Sequence, residues 1–226
     1  MTTANGDNVA TPEDMDVVAT TVVQGVIPKR FREGFRGWKR LTPEHTAIGI
    51  AAWDWAKDWY PAGPGLRLVG NIGCGKTHLA CAILKRLIER GYYNVQYINT
   101  SDLFLRIRAT WNNRSDETDH MIIEELCDRD VLLLDDLGAE TGGEGNLHDL
   151  TCGKLYLLLD RIVRRMRPTL IVTSNLPLSA EKPAPSLQER FGIGNGERIV
   201  SRLRDLTEDL GRFPDMDVRR EGKAKP

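Results

Sequence analysis

The stretch LRLVGNIGCGKTHLA, residues Leu66 to Ala80, decides the fold of this chain. It places three glycines, a lysine and a threonine between a short apolar run and the beginning of a helical pattern. Within it, the residues from Gly70 to Thr77 fit the pattern G-x-x-x-x-G-K-[ST], which forms a phosphate-binding loop when a strand precedes it and a helix follows. A glycine-rich turn is the alternative interpretation, but the flanking strand and helix patterns favour a nucleotide site.

Each residue type in this loop has a physical role. Glycines let the backbone turn so that successive N–H groups point at phosphate oxygens, in front of the positive end of the next helix. We expect Lys76 to hold the β and γ phosphates of ATP, and Thr77 to give its hydroxyl to a Mg²⁺ ion that bridges them. The predicted nucleotide contacts are Gly70, Asn71, Ile72, Gly73, Cys74, Gly75, Lys76 and Thr77.

Two further apolar runs end in polar residues that suit the same site. VLLLDD predicts a buried strand that ends in Asp135, a metal-binding carboxylate, and Asp136, which would orient or deprotonate the attacking water. TLIVTSN predicts a neighbouring parallel strand, at whose end Asn175 would position that water. Taken alone, the two acids are compatible with a simple strand end, and the Ser-Asn pair with a turn.

The order of the predicted elements indicates the fold class. Strands and helices alternate from residue 66 to residue 175, which favours an α/β domain with a mostly parallel sheet covered by helices on both faces. Residues 1–26 carry four acids, no Lys or Arg and few large apolar groups, so we expect a flexible acidic arm. Residues 27–210 would form the main domain, and residues 211–226 a charged tail.

The main domain opens with a basic segment, IPKRFREGFRGWKR, which has six basic residues, one acid and three interleaved aromatic residues. Such a local patch matters because the formal net charge of the whole 226-residue chain is only -1, so no global field would attract nucleic acid. Four widely spaced cysteines support neither a zinc cluster nor a disulfide framework. The sequence shows no secretory leader and no apolar run near the ~18 residues of a membrane span. We expect a cytoplasmic protein without a membrane contact.

Two arginines in GERIVSRLRDL lie on one face of a predicted helix, because Arg198 and Arg202 are four residues apart. One interpretation is a solvated helix face, on which Glu197 and Asp205 supply the partners. The other is an arginine finger, which stabilises charge on the transferred phosphoryl group and is often delivered from another subunit. Spacing alone leaves both interpretations open.

The combination of motifs resembles the DnaC/IstB-type AAA+ ATPases. The matching pieces are IPKRFRE, GNIGCGKTHLA, LLLDDLGAE, TSN and GERIVSRLRDL, in the family's order over about residues 27 to 206. The resemblance implies a P-loop AAA+ fold with a small C-terminal lid, and a homo-oligomer with ATP at subunit interfaces. By resemblance Arg202 is the finger, Asn175 the sensor-1 residue, and Arg219, or alternatively Arg220, the sensor-2 residue. His78 and Arg198 join the expected nucleotide contacts.

The family's activity suggests what this chain does. The resemblance implies an ATP-driven loader that delivers a replicative helicase to DNA, or alternatively a helper ATPase for a transposase. A third interpretation, a nucleotide-gated interaction protein with negligible hydrolysis, stays open because the family usually has Glu where this chain has Asp136. A small-molecule kinase ranks last, since no acceptor site is evident and Asn175 with Arg202 favours water as the nucleophile.

A possible contact with single-stranded DNA rests on the segment SDLFLRIRATWNNR. By resemblance it lies where initiator-type AAA+ proteins add a DNA-contacting element, and arginines beside an aromatic ring suit phosphate neutralisation and base stacking. The alternative is that its apolar residues, Trp111 included, belong to the core and its arginines are merely solvated. The predicted DNA contacts are Arg106, Arg108, Trp111 and Arg114.

Overall fold

A computed structural model describes most of the chain. The described residues are 12–111, 116–139, 146–179, 185–192, 194–211 and 213–221. Within them, the helices are α1 (Pro12–Val26), α2 (Pro43–Asp58), α3 (Lys76–Glu89), α4 (Thr100–Thr110), α5 (Asp119–Cys127), α6 (Asn146–Arg165), α7 (Leu187–Arg190), α8 (Asn195–Leu206) and α9 (Val218–Glu221). The strands are β1 (Gly65–Val69), β2 (Val95–Asn99), β3 (Val131–Leu137), β4 (Thr169–Ser174) and β5 (Thr207–Asp209).

The strands form one parallel sheet in the order β2-β3-β4-β1-β5. Strand β4 therefore lies between β1 and β3, although it follows both in the chain. Because the carboxyl ends of parallel strands meet at one edge, this order places the residues after β1, β4 and β3 side by side. The three motifs that the sequence assigns to one site are brought together in this way.

Buried hydrophobic clusters lie on the two faces of the sheet. Neighbouring residues of a strand point to opposite faces, and in β3 Leu132 and Leu134 belong to one cluster whereas Val131 and Leu133 belong to the other. Helices α4, α5, α6 and α8 pack into the first cluster, and α1, α2 and α3 into the second. The predicted α/β fold, with a parallel sheet and helices on both faces, is confirmed.

The part of the predicted flexible arm that the structure describes is helical. Residues 12–26 form α1, which packs on α3. Near its end Val23 is only 8% exposed, and the following Ile27 is 1% exposed. Composition alone does not reveal this helix, because the apolar surface on which it packs belongs to another part of the chain. Residues 1–11 lie outside the described residues.

The carboxyl-terminal part also contains structure that the sequence did not predict. The short, polar strand β5 pairs with β1 at the edge of the sheet. After it, Phe213 is 4% exposed and packs so closely on Gly70 that a Cβ at Gly70 would lie 2.8 Å from the Phe213 Cβ. The predicted domain boundaries at residues 26 and 210 stay predictions, although residues beyond both boundaries pack on the same core. No helix in the described ranges combines the length and apolar character needed to cross a bilayer.

Candidate nucleotide site

The predicted residues converge on a cleft of about 660 Å³ at the carboxyl edge of the sheet. Most of them line it directly. Those residues are Ile72, Gly73, Gly75, Lys76, Thr77, His78, Asp135, Asp136, Asn175 and Arg219. Three other predicted P-loop residues do not line it: the carbonyl oxygens of Gly70 and Asn71 accept hydrogen bonds from Lys76, and Cys74 is fully buried.

The P-loop needs glycine for two reasons. Gly73 and Gly75 have φ angles of +83° and +102°, which L-residues with a Cβ rarely adopt. A Cβ at Gly75 would lie 2.7 Å from the Trp38 ring, and one at Gly73 would lie 2.2 Å from an Asp217 carboxylate oxygen. Conformation and space thus both exclude a side chain here, and Gly75 leads directly into α3 as its N-cap residue.

Lys76 is held at the centre of the loop by neutral oxygens. Its Nζ donates hydrogen bonds of 2.8 Å each to Gly70 O, Asn71 O and Asn175 Oδ1. The residue is only 6% exposed, and burial lowers the pKa of Lys76 below its usual range. These partners fix the ammonium in place without neutralising it, so its charge remains available to an anion in the cleft.

Asp135 is fixed near the end of β3 by two hydroxyl groups. The Thr173 hydroxyl donates to Asp135 Oδ1 over 2.7 Å, and the Tyr97 hydroxyl donates to Asp135 Oδ2 over 2.9 Å. Asp135 is 3% exposed, and burial together with this carboxylate raises the pKa of Tyr97. The phenol therefore stays a hydrogen-bond donor, and the carboxylate is oriented with its charge uncompensated by a direct ion pair among the described residues.

Asp136 has an unusual backbone conformation. Its φ is +62°, and the pairing of β3 with β4 shifts register between Leu134 and Leu137. The Asp136 N–H donates to Thr173 Oγ1 over 2.8 Å, so that one hydroxyl contacts both acids. Burial, followed by the Asp135 charge, raises the pKa of Asp136. Positive φ in a residue other than glycine is typical of strained functional positions.

Asn175 connects the lysine to the second acid. Its Oδ1 accepts from Lys76, and its Nδ2 donates to Asp136 Oδ1 over 3.2 Å. The side-chain amide is the group suited to this place, because it carries both an acceptor and a donor. The strand order makes the bridge, since β4 lies between β1 and β3.

The segment between α1 and α2 closes one side of the cleft. His78 Nε2 lies 2.9 Å from Gly34 O, and the rings of His78 and Phe31 meet edge to face with centroids 5.8 Å apart. Arg30 and Phe31 both line the cleft. His78, a predicted nucleotide contact, thus also anchors this segment against the first turn of α3.

The carboxyl-terminal segment closes the other side. Asn71 Nδ2 donates to Asp215 Oδ1, and the Val218 N–H donates to Gly73 O over 3.0 Å. Arg219 lines the cleft but donates to the Asp217 carboxylate, with its Nε 2.9 Å from Oδ1. The alternative sensor, Arg220, has a side chain that lies outside the described part of the structure.

The two arginines of α8 lie away from the cleft lining of their own chain. Arg202 Nε donates to Asp160 Oδ1 over 3.0 Å, and its Nη1 donates to Asp205 over 3.2 Å. The guanidinium carbons of Arg198 and Arg202 lie 5.7 and 6.0 Å from the Tyr156 ring centroid. Their roles as a nucleotide contact and a finger stay predictions that require the cleft of another subunit.

The predicted DNA contacts on α4 are engaged within the chain. Arg106 forms ion pairs with Glu117 and Glu125, which raise its pKa, and Arg108 Nε donates to Thr151 Oγ1 over 3.2 Å. Trp111 packs against the buried cluster of the adjacent sheet face. Arg114 lies outside the described residues. These contacts favour the interpretation in which the segment has a structural role. DNA binding by the four residues stays a prediction.

Sequence reasoning missed several residues that complete the cleft. Tyr97 and Thr173 precede strand ends by two residues or fewer, but no motif marks them. Arg30 and Phe31 belong to IPKRFRE, which the resemblance singled out without assigning it a role. The aromatic residue within that basic segment was the available signal for Phe31, whereas Tyr97 could be found only from the pairing of β2 with β3, which sets Asn99 opposite Asp135.

Comparison with known proteins identifies relatives of two kinds. The replicative helicase loader DnaC of Escherichia coli strain K12 is 28% identical over 132 residues, which are 58% of this chain and 51% of that protein. A protein of insertion sequence IS1162 from Pseudomonas fluorescens, named for ATP binding, is 31% identical over 140 residues, which are 62% of this chain and 54% of that protein. The chain spans about half the length of the curated relatives it matches.

The fold and the family of this chain both agree with the predictions made from its sequence. The crystal structure of the DnaC helicase loader matches with a TM-score of 0.64 at 23% identity, over 83% of this chain and 100% of that chain. A family model described as IstB-like ATP binding protein matches residues 55–183. Because that match spans more than half of the chain, this protein belongs to the IstB-like ATP-binding protein family and has the AAA+ P-loop fold.

Proposed function

We propose that this protein hydrolyses ATP and uses the cycle to deliver a replicative DNA helicase to DNA. The observation that carries the hydrolytic part is the line of contacts from Lys76 through Asn175 to Asp136, beside an Asp135 carboxylate that two hydroxyls orient. Binding, orientation and water activation each have a candidate group within one cleft. The arrangement therefore suits attack by water better than transfer to an organic acceptor.

The residues divide the work as follows. Lys76 would exchange its loop carbonyls for the β and γ phosphate oxygens of ATP, a stronger charge-assisted contact. Asp136 would orient the water and accept its proton as the oxygen attacks the γ phosphorus and the bond to the β-phosphate oxygen breaks, which yields ADP and phosphate. Its raised pKa brings the carboxylate closer to the range of a useful base.

The chain also fits a magnesium ion. Mg²⁺ prefers one or two protein oxygens together with phosphate and water, and it would neutralise charge on the β and γ phosphates. Asp135 and Thr77 both line the cleft, and Asp135 is a fixed carboxylate without a direct ion pair among the described residues. We assign the metal-binding role to these two side chains.

Helicase delivery rests on the relatives. DnaC of Escherichia coli carries the name of a replicative helicase loader, and its structure shares the fold. The second candidate is assistance to a transposase, which is favoured by the IstB-like family model and by the 31% identity to the IS1162 protein. Loading of the purified replicative helicase onto a single-stranded DNA circle, with ATP or with ADP, separates the two candidates. An absence of ATP-dependent loading would favour the transposase partner.

The nucleotide site has a direct test. Lys76→Ala should weaken ATP binding by about 100-fold or more, because each charge-assisted hydrogen bond is worth roughly 1.5–3 kcal/mol. Isothermal calorimetry with ATP measures it, and Lys57→Ala, which removes an exposed lysine of α2, is the matched control. Unchanged affinity in Lys76→Ala would contradict the assignment of the site.

Hydrolysis requires a second variant. Asp135→Asn should retain ATP affinity within a few fold, while single-turnover hydrolysis falls roughly a hundredfold, because the metal contact matters most as charge develops in the transition state. If the wild-type protein binds ATP tightly but shows no single turnover, with or without DNA, the protein is a nucleotide-gated interaction module and not an ATPase.

A further inference from the structure

A second concave surface lies outside the nucleotide cleft, between the segment that precedes α2 and α2 itself. We call it the aromatic groove, and its volume is about 510 Å³. Its side walls come from two short stretches of sequence and contain no acidic residue. The residues that form them are Phe35, Arg36, Trp38, Arg40, Ile50 and Trp53.

A glycine in the middle of α2 creates the floor of the groove. A Cβ at Gly49 would lie 2.6 Å from Trp38 Nε1, so any larger residue would displace the indole. The same Nε1 donates to His45 O over 3.0 Å, which fixes the ring. Glycine inside a helix costs about 0.5–1 kcal/mol relative to alanine, and here the residue permits the close contact that shapes the groove.

The groove presents aromatic and apolar surface to solvent. Trp53 is 40% exposed and Ile50 is 52% exposed, although both are large hydrophobic side chains. The Trp53 ring meets Phe35 edge to face with centroids 5.2 Å apart, and the Arg86 guanidinium carbon lies 4.7 Å from its centroid. These contacts hold the indole in one place while leaving part of it accessible for stacking.

The cations beside the groove have no acidic partners. Arg36, Lys39 and Arg40 are exposed, and none of them forms an ion pair or a hydrogen bond with the described residues. Elsewhere on the chain arginines are routinely paired, as Arg106 is with Glu117. Since the whole chain has a formal net charge of -1, this is a local concentration of positive charge.

We propose that the aromatic groove binds single-stranded DNA. Unpaired cations would neutralise phosphates, and Trp53 would stack on an unpaired base, which are the two contributions that sequence-independent single-strand binding uses. Duplex DNA would not satisfy the groove, because its bases are already stacked and paired. A polyanion accounts for the unpaired arginines, whereas an apolar peptide would leave them without counter-charges.

The test measures binding of a short fluorescein-labelled oligothymidylate to the full chain by anisotropy. Paired Arg36→Gln and Arg40→Gln changes should weaken binding and lower the slope of log affinity against log salt by about 1.4, since each lost single-strand phosphate contact contributes about 0.7. Lys57→Gln removes an exposed cation of α2 that lies outside the groove, and it should leave the slope unchanged. Salt is varied between about 50 and 200 mM.

Stacking is tested separately. Trp53→Ala should weaken binding between about fivefold and a hundredfold with an unchanged salt slope, because base stacking on an aromatic ring carries no net charge. Trp53→Phe keeps an aromatic face and should retain binding within about threefold. Retained ATP affinity in all variants shows that they are folded, because these residues lie outside the nucleotide cleft.

Three outcomes would overturn the proposal. The first is no oligothymidylate binding by the wild-type chain. The second is an affinity within twofold of that of Lys57→Gln, with an unchanged salt slope, in both the variant with Arg36→Gln and Arg40→Gln and the Trp53→Ala variant. The third is unchanged DNA binding with loss of self-association in sedimentation, which would make the groove a protein interface. None of these outcomes bears on the ATPase proposal, which stands or falls with Lys76→Ala and Asp135→Asn.

Discussion

The nucleotide cleft and the helical face formed by α4, α6 and α8 hold their charged side chains in opposite ways. In the cleft, three neutral oxygens hold Lys76 and two hydroxyls hold Asp135. On the helical face, Arg106 is paired with two glutamates, and Arg202 with Asp160 and Asp205. Both regions are ordered, but only the cleft keeps uncompensated charge in fixed positions.

This contrast distinguishes a side chain that can bind a ligand from one with a structural role. A neutral partner fixes a side chain through hydrogen-bond geometry and leaves its charge to act on a ligand, whereas an opposite charge fixes it and cancels that charge. Number and spacing of basic residues do not reveal which case applies. The partner of each charge does, and it is usually distant in sequence.

Arg202 belongs to the helical face, but its predicted role requires a charge that acts on a ligand. If Arg202 acts on the cleft of a neighbouring subunit, Arg202→Ala should lower the turnover number about a thousandfold while ATP affinity stays nearly normal, because a finger serves the transition state. The arginine would then have to leave Asp160 during assembly. Steady-state ATPase assays and ATP binding, measured at the same protein concentration, give the two numbers.

Mixing two inactive variants decides whether the site is shared. Lys76→Ala still offers a finger and Arg202→Ala still offers a P-loop, so random co-assembly should make about one in four directional interfaces competent. Arg164→Ala, which removes another arginine that pairs with Asp160, is the matched control for Arg202→Ala. If the mixture co-assembles without recovering activity, Arg202 belongs with the neutralised arginines of the helical face.

In the cleft, the hydroxyls that hold Asp135 can be removed one at a time. Tyr97→Phe removes one of the two hydroxyls that hold Asp135, and hydrogen bonds to charged groups are worth roughly 1.5–3 kcal/mol. We expect turnover to fall about tenfold or more and to need a higher Mg²⁺ concentration, with little change in metal-free nucleotide affinity. Tyr93→Phe is the control, since the Tyr93 hydroxyl contacts Met15 O instead. Equal activity of the two variants would show that Thr173 alone orients the acid.

Arg106 allows the same rule to be tested for DNA binding. Because Arg106 is enclosed by Glu117 and Glu125, Arg106→Gln should change oligothymidylate affinity by less than about twofold and lower the free energy of unfolding by roughly 1 kcal/mol. Anisotropy and urea unfolding measure the two quantities. A fall of about 0.7 in the salt slope would instead assign Arg106 to a phosphate contact, as its sequence pattern predicts.

The fold and the residues at the centre of the cleft could be predicted from the sequence, because both depend on local patterns. The P-loop and Asn175 directly follow apolar strands, the two acids lie near the end of β3, and parallel strands bring such ends together. Tyr97 and Thr173 could not be predicted, because their contact with Asp135 depends on the registers of β2 and β4 against β3. The helix α1 was missed for a related reason, since the surface that orders it comes from α3.

The two hydrogen bonds of the Asn175 side chain couple two parts of the cleft. Its carbonyl oxygen accepts from Lys76 and its amide nitrogen donates to Asp136, so it connects the group that would hold the phosphates of ATP to the group that would activate water. If phosphate oxygens draw the Lys76 ammonium away, the Asn175 amide oxygen loses this hydrogen bond and becomes free to accept a hydrogen bond from water. Binding of ATP would thereby prepare Asn175 and Asp136 to position the attacking water, through the rearrangement of a single hydrogen bond.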